Sequence, residues 1–142
     1  MSAAGATPGA GYSGTPLQKK LGFKAGFAAA YVNAPDGFDE LLGALPDGVA
    51  VRARLRGPLD LIVCFVTERR ELERRLAALR GALAPAGMLW IAWPKRASGV
   101  PTDMTENVVR EVALPTGLVD TKVAAIDDTW SGLRLVIRKE LR

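Results

Sequence analysis

The loop Trp93-Pro94-Lys95-Arg96-Ala97-Ser98-Gly99-Val100-Pro101-Thr102 sets two cations, Lys95 and Arg96, and two hydroxyls, Ser98 and Thr102, ahead of a helix start. Cations, hydroxyls and the amides of a helix N-terminus all favour negative charge, so the loop suits a small anion or a phosphate. Its order of Gly and Lys is not that of a P-loop. A surface loop with merely solvated charges has the same composition, and both readings stand. A second cluster, Asp127, Asp128 and Trp130, places paired acids beside an aromatic ring. Calcium or magnesium needs more oxygen ligands than this turn offers, so no metal is expected. Trp130 either packs under the loop or faces a partner.

What is missing narrows the chemistry further. The chain has no histidine. That removes Ser-His-Asp and Cys-His nucleophiles, His metal sites and the commonest acid–base group near neutral pH. Cys64 lies in the apolar run Leu61 to Val66 and reads as a small buried hydrophobe rather than a nucleophile. No catalytic residue is assigned.

Composition bounds the partners. At 142 residues, 49% hydrophobic and 24% charged, the chain reads as an ordinary soluble globular protein with room for one domain. The net charge of +4 is spread among acids, without the basic stripe and interleaved aromatics of a nucleic-acid binder. No apolar run is long enough to span a bilayer, and the N-terminus lacks the features of a secretory signal. A single cysteine fits a reducing compartment, and a cytoplasmic location is the expectation.

The elements that must position these residues follow from periodicity. Residues 1–14, rich in Ala, Gly, Ser, Thr and Pro, read as a flexible tail, and residues 15–142 as one α/β domain. Thr15-Pro16-Leu17-Gln18 predicts a capped short helix stopped at Gly22. Phe27 to Asn33 suits a buried strand, and Asp36 is placed to cap a helix carrying Phe38, Leu41, Leu42 and Leu45 on one face. Val49 to Leu55 alternates with Arg52, Arg54 and Arg56 and predicts an edge strand. Asp60 to Lys95 reads as a βαβ unit: a strand to Val66, a helix with Leu72, Leu76, Leu79 and Leu83, a turn at Pro85-Ala86-Gly87, and a strand from Met88 to Trp93. Asp103 with Glu106 predicts a cap for a helix bearing Met104, Val108, Val109 and Val112. Val119 to Ile126 and Leu133 to Lys139 predict an antiparallel hairpin. The fold expected is a three-layer, Rossmann-like sandwich with a mostly parallel six-stranded sheet. Ligands of open α/β sheets bind at the switch point in strand order. Here that crevice lies between the strands ending at Asn33 and Val66, bordered by Asn33, Asp36 and Thr67, residue types that helix capping and the turn also explain.

The order of these elements, with LAPAGMLWIAWPK leading into a late strand and GLVDTKVAAIDDTWSGLRLVIRK as the closing hairpin, resembles class I S-adenosylmethionine-dependent methyltransferases. The resemblance implies their Rossmann-like fold. It also implies a glycine-rich turn after the first strand and an acidic residue ending the second, which binds ribose hydroxyls. This chain has Asn33-Ala34-Pro35-Asp36-Gly37 and Arg54-Leu55-Arg56 at those places, and only Gly57-Pro58 between the second and third parallel strands. The whole chain also resembles a small bacterial domain-of-unknown-function family with the phrases VNAPDGF, WPK…SG and WSGL, which brings no activity with it.

Three expectations follow. The first is a non-catalytic Rossmann-like domain that binds a partner protein or a small anionic ligand, without a cofactor. The second is a divergent S-adenosylmethionine-dependent methyltransferase. The third is a structural subunit of a homodimer.

Overall fold

Four parallel strands and one antiparallel hairpin build the sheet. The computed structural model describes residues 15–142; the tail read at residues 1–14 lies outside the described residues. The parallel strands are β1 (Ala28–Val32), β2 (Ala50–Arg52), β3 (Leu59–Phe65) and β4 (Leu83–Pro94), and the hairpin is β5 (Leu118–Ala125) with β6 (Trp130–Ile137). Their order is β2-β1-β3-β4-β6-β5, with β4 and β6 antiparallel. The reversal between β1 and β3 is the predicted switch point: the chain leaves β1 toward one edge and β3 toward the other.

Helices cover both faces. The alternation of side chains along a strand sends Ala29 and Tyr31 to one face and Ala28, Ala30 and Val32 to the other. On the first face α1 (Leu17–Leu21) and α2 (Phe38–Leu42) bring Leu21, Phe38 and Leu42 onto Leu61, Val63, Phe65 and Trp90. On the second, α3 (Arg69–Ala82) and α4 (Glu106–Ala113) bring Leu72, Leu76, Leu79 and Val109 onto Ile62, Cys64, Leu89 and Ile91. Trp90 and Trp93 fall on opposite faces, as their odd spacing requires. Buried Trp90 donates its indole N–H to the Leu21 carbonyl at 2.8 Å, fixing α1 to the sheet.

Local readings change at several points. The arginine-bearing strand does lie at the edge, but it spans only Ala50–Arg52 and is exposed throughout. Two alternating faces therefore do not develop, and Arg52 instead donates to the Arg56 carbonyl at 2.8 Å, curling the segment. The Pro85-Ala86-Gly87 turn is replaced by an irregular start to β4: Leu59 pairs with Leu83 and Leu61 with Met88. Gly87 is required there, because a Cβ would stand 2.6 Å from the Leu59 carbonyl oxygen.

The caps are also rearranged. Pro16 is the N-cap of α1 and Gly37 that of α2, with no side-chain cap bond, so neither Thr15 nor Asp36 plays the predicted role. α2 ends at Gly43, and Leu41 is exposed. The cap of α4 is Thr105, whose hydroxyl accepts from the Val108 N–H at 3.1 Å. Asp103 is instead the acceptor for the Arg69 N–H at the head of α3, at 2.7 Å.

Candidate functional site

The crevice at the switch point is built from the end of β1, the end of β3 and the first turn of α3. Asn33 turns the chain out of β1 with φ 58°, a left-handed conformation that Asn tolerates better than most residues. Its side-chain N–H donates to Glu71 Oε2 at 2.8 Å and approaches the Phe65 carbonyl at 3.4 Å, spanning the gap between the strands. Arg75, one turn further along α3, donates to the same Glu71 oxygen at 3.1 Å. An amide, a carboxylate and a guanidinium are thus fixed side by side at the mouth of the crevice. The Glu71 side chain is only 20% exposed, so the carboxylate is held in place rather than fully solvated.

The first face contributes an aromatic row under the same rim. Tyr31 meets Phe38 edge-on at 5.0 Å, Phe38 meets Phe65 at 5.0 Å, and Phe65 meets Trp130 at 5.1 Å. Such edge-to-face pairs are worth about 0.5–1.5 kcal/mol each beyond burial. Trp130 therefore packs under its loop. The Tyr31 hydroxyl is buried without a hydrogen-bond partner among the described residues. Burial first, and the charge of Asp39 second, push its pKa up to about 12. Behind the crevice Cys64 is buried as expected, and burial raises its thiol to about 12, with Arg75 opposing and Glu71 reinforcing the shift.

The predicted loop residues are close to one another but mostly occupied by the backbone. The Ser98 hydroxyl donates to the Lys95 carbonyl at 2.7 Å and accepts from the Val100 N–H at 3.2 Å. The Thr102 hydroxyl donates to the Thr67 carbonyl at 2.6 Å and accepts from the Met104 N–H at 2.9 Å. Thr67 and Thr102 are therefore brought together, as a tie between the β3 exit and the loop. The Lys95 N–H donates to the Thr129 carbonyl at 2.7 Å, joining this loop to the hairpin turn, and Arg96 is exposed. In that turn Asp127, not Asp128, is the organising acid: its carboxylate accepts from the Thr129 and Trp130 N–H groups, both at 2.8 Å. Asp36 and Asp128 are exposed.

Of this cluster, Asn33 borders the crevice by its place at the strand end, and Glu71 and Arg75 join it only in the folded chain. In the sequence, Glu71 and Arg75 carry only the i, i+4 spacing of a helical ion pair, and Tyr31 stands in an apolar run. The signal available was Asn33 itself, a non-glycine residue at a strand exit where a left-handed turn was needed.

With this geometry in place, solved structures supply the fold's relatives. A SAM-dependent methyltransferase from Aquifex aeolicus is 16% identical, with TM-score 0.61 over 85% of this chain and 88% of that one. Magnesium protoporphyrin IX methyltransferase from Synechocystis with bound SAM is 11% identical, with TM-score 0.58 over 85% and 74%. The N-methyltransferase NodS from Bradyrhizobium japonicum is 15% identical, with TM-score 0.56 over 86% and 90%. The chain has a methyltransferase-like, Rossmann-type fold. At these identities the likeness concerns the fold alone. No family model matches the sequence, and no curated protein matches it.

Class I methyltransferases of this fold hold an S-adenosyl group, and the crevice residues of this chain match such a group only in part. The Glu71 carboxylate and the Asn33 amide offer an acceptor and a donor at the switch point, which suit hydroxyl and amino groups. The first turn, with Pro35 and Gly37 alone, and the strand end at Arg52 depart from the pattern of the resembled family.

Proposed function

We propose that this chain is a divergent methyltransferase-fold domain that takes an adenosyl ligand of the S-adenosylmethionine class in the crevice between β1 and β3. One observation carries the reading: Asn33, Glu71 and Arg75 converge at the switch point, where open α/β sheets bind ligands. The solved relatives, one with bound SAM, support it. Glu71 is the residue to accept from ligand hydroxyl or amino groups, with Arg75 orienting its carboxylate. Asn33 is the residue to exchange its cross-crevice bonds for bonds to the ligand. When bound, the ligand would supply an electrophilic methyl group.

A second reading, a non-catalytic domain for a protein partner or a small anion, is favoured by one specific observation. Arg52 ends β2, where the resembled family has an acid for ribose, and its guanidinium is already bonded to the Arg56 carbonyl.

Titration calorimetry with S-adenosylmethionine and S-adenosylhomocysteine separates the two. Saturable binding that weakens about tenfold or more in Glu71→Gln and in Asn33→Ala is expected on the first reading. Binding unchanged in both variants would move the ligand elsewhere. No heat with either compound at millimolar concentration would leave the second reading.

A further inference from the structure

A groove of about 540 Å³ runs between α3 and α4 on the outer side of the second face, apart from the crevice. Its size is that of a small-molecule site. At one end Arg69 bridges the two helices, with Nε to Glu73 at 3.1 Å and Nη1 to Glu111 at 2.7 Å. Both acids of the groove are thereby matched to one cation. Leu76, Ala77 and Val112 supply apolar lining between the ends.

The opposite end is unbalanced. Arg80 lines the groove; its Nε is closed off from solvent with no hydrogen-bond partner among the described residues, so a ligand in the groove would meet its terminal nitrogens. Its guanidinium lies against Gly117, where a Cβ would come within 3.3 Å of Nη2. Arg69, Arg75 and Arg110, on the same two helices, each hold a carboxylate; exposed Arg74 and part-buried Arg80 hold none among the described residues, and of these Arg80 alone lines the groove. A guanidinium taken partly out of water with no acceptor is unfavourable, and a carboxylate matches its planar fork.

We propose that this groove binds an aliphatic monocarboxylate, its chain along Leu76, Ala77 and Val112 and its carboxylate on the Arg80 guanidinium. The apolar stretch selects an aliphatic body over a bare anion, and the unmatched cation at one end selects a single acid group. The site is independent of the crevice and of any ligand held there.

The test is amide chemical-shift mapping on the full ¹⁵N-labelled chain, titrated with octanoate, acetate and octanol. Saturable shifts at Gly81, Val112 and Thr116 with octanoate, and much weaker ones with acetate or octanol, are expected. Arg80→Met should weaken octanoate about tenfold or more. Gly81→Leu is the second variant: a Cβ at Gly81 meets nothing within 4 Å, so the new side chain can extend into the groove and should abolish binding without touching the cation. Octanol binding as tightly as octanoate, unchanged affinity in either folded variant, or shifts confined to Asn33 and Glu71 would each overturn the proposal. Should Arg80→Met fail to fold, Gly81→Leu decides alone.

Discussion

The Asp103 carboxylate accepts the Arg69 backbone N–H at 2.7 Å, so the first turn of α3 is capped by a residue 34 positions further along the chain. The N-cap position itself, Glu68, makes no side-chain cap bond. A loop that reads as a binding element is thus also a fastener for the helix beside the crevice. Asp103→Ala should cost about 1 kcal/mol, a fall of about 3–5 °C in Tm. Asp103→Asn, which keeps an acceptor oxygen, should retain most of the stability. Urea titration of the two variants checks this, and equal losses would assign the effect to charge rather than to capping.

Trp90 is the tie between α1 and the sheet. Trp90→Phe leaves the Leu21 carbonyl without its donor and opens space in a fully buried position. A loss of roughly 2–4 kcal/mol is expected from the orphaned acceptor and the cavity together. Chemical denaturation followed by far-UV circular dichroism measures it.

Two glycines should respond in opposite directions. Gly81 lies in α3 with free space where a Cβ would stand, so Gly81→Ala should stabilise by about 0.5–1 kcal/mol. Gly87 faces the Leu59 carbonyl, so Gly87→Ala should destabilise by about 1–3 kcal/mol as β4 shifts. Tm values of the pair decide it.

Alkaline pH should weaken the fold through Cys64 and Tyr31. Both are neutral acids whose pKa rises on folding, from 9.0 and 10.0 to about 12. The unfolded chain therefore loses these protons first as pH increases. Their contribution is fully present below pH 9 and is lost progressively toward pH 12. The urea midpoint should fall between pH 8 and pH 10, and less steeply in Cys64→Ala. By the same burial, the native thiol should resist disulfide reagents at pH 8 and react once unfolded.

The sheet was legible because its central strands are runs of apolar residues bounded by turn signals. Leu61 to Val66 and Met88 to Trp93 have no other reading consistent with a helix between them. The caps were less legible. Asp103 sits ahead of a helix with Glu106 three residues later, which is the local signature of a cap; its actual partner, Arg69, is a tertiary neighbour that no local pattern encodes. The length of the edge strand was overestimated for a related reason. Alternation of Val and Arg gives a strand its propensity, but only the pairing of Ala28, Ala29 and Ala30 with Ala50, Val51 and Arg52 determines how far it runs. The switch point between β1 and β3 was legible from topology, whereas the carboxylate beside Asn33 comes from a helix turn whose rotation about its axis the sequence does not specify.

The two borders of the sheet share a property that bears on how copies of this chain meet. β2 offers three exposed residues followed by a curl closed by Arg52, and β5 breaks step with β6 between Asp120 and Lys122. Neither border presents a long straight row of free amides and carbonyls on which another strand could crystallise. Both edges are therefore poor templates for strand addition from another molecule. A concentrated solution of the folded chain should accordingly resist fibre formation through edge-to-edge strand pairing, which a dye-binding assay over time would check.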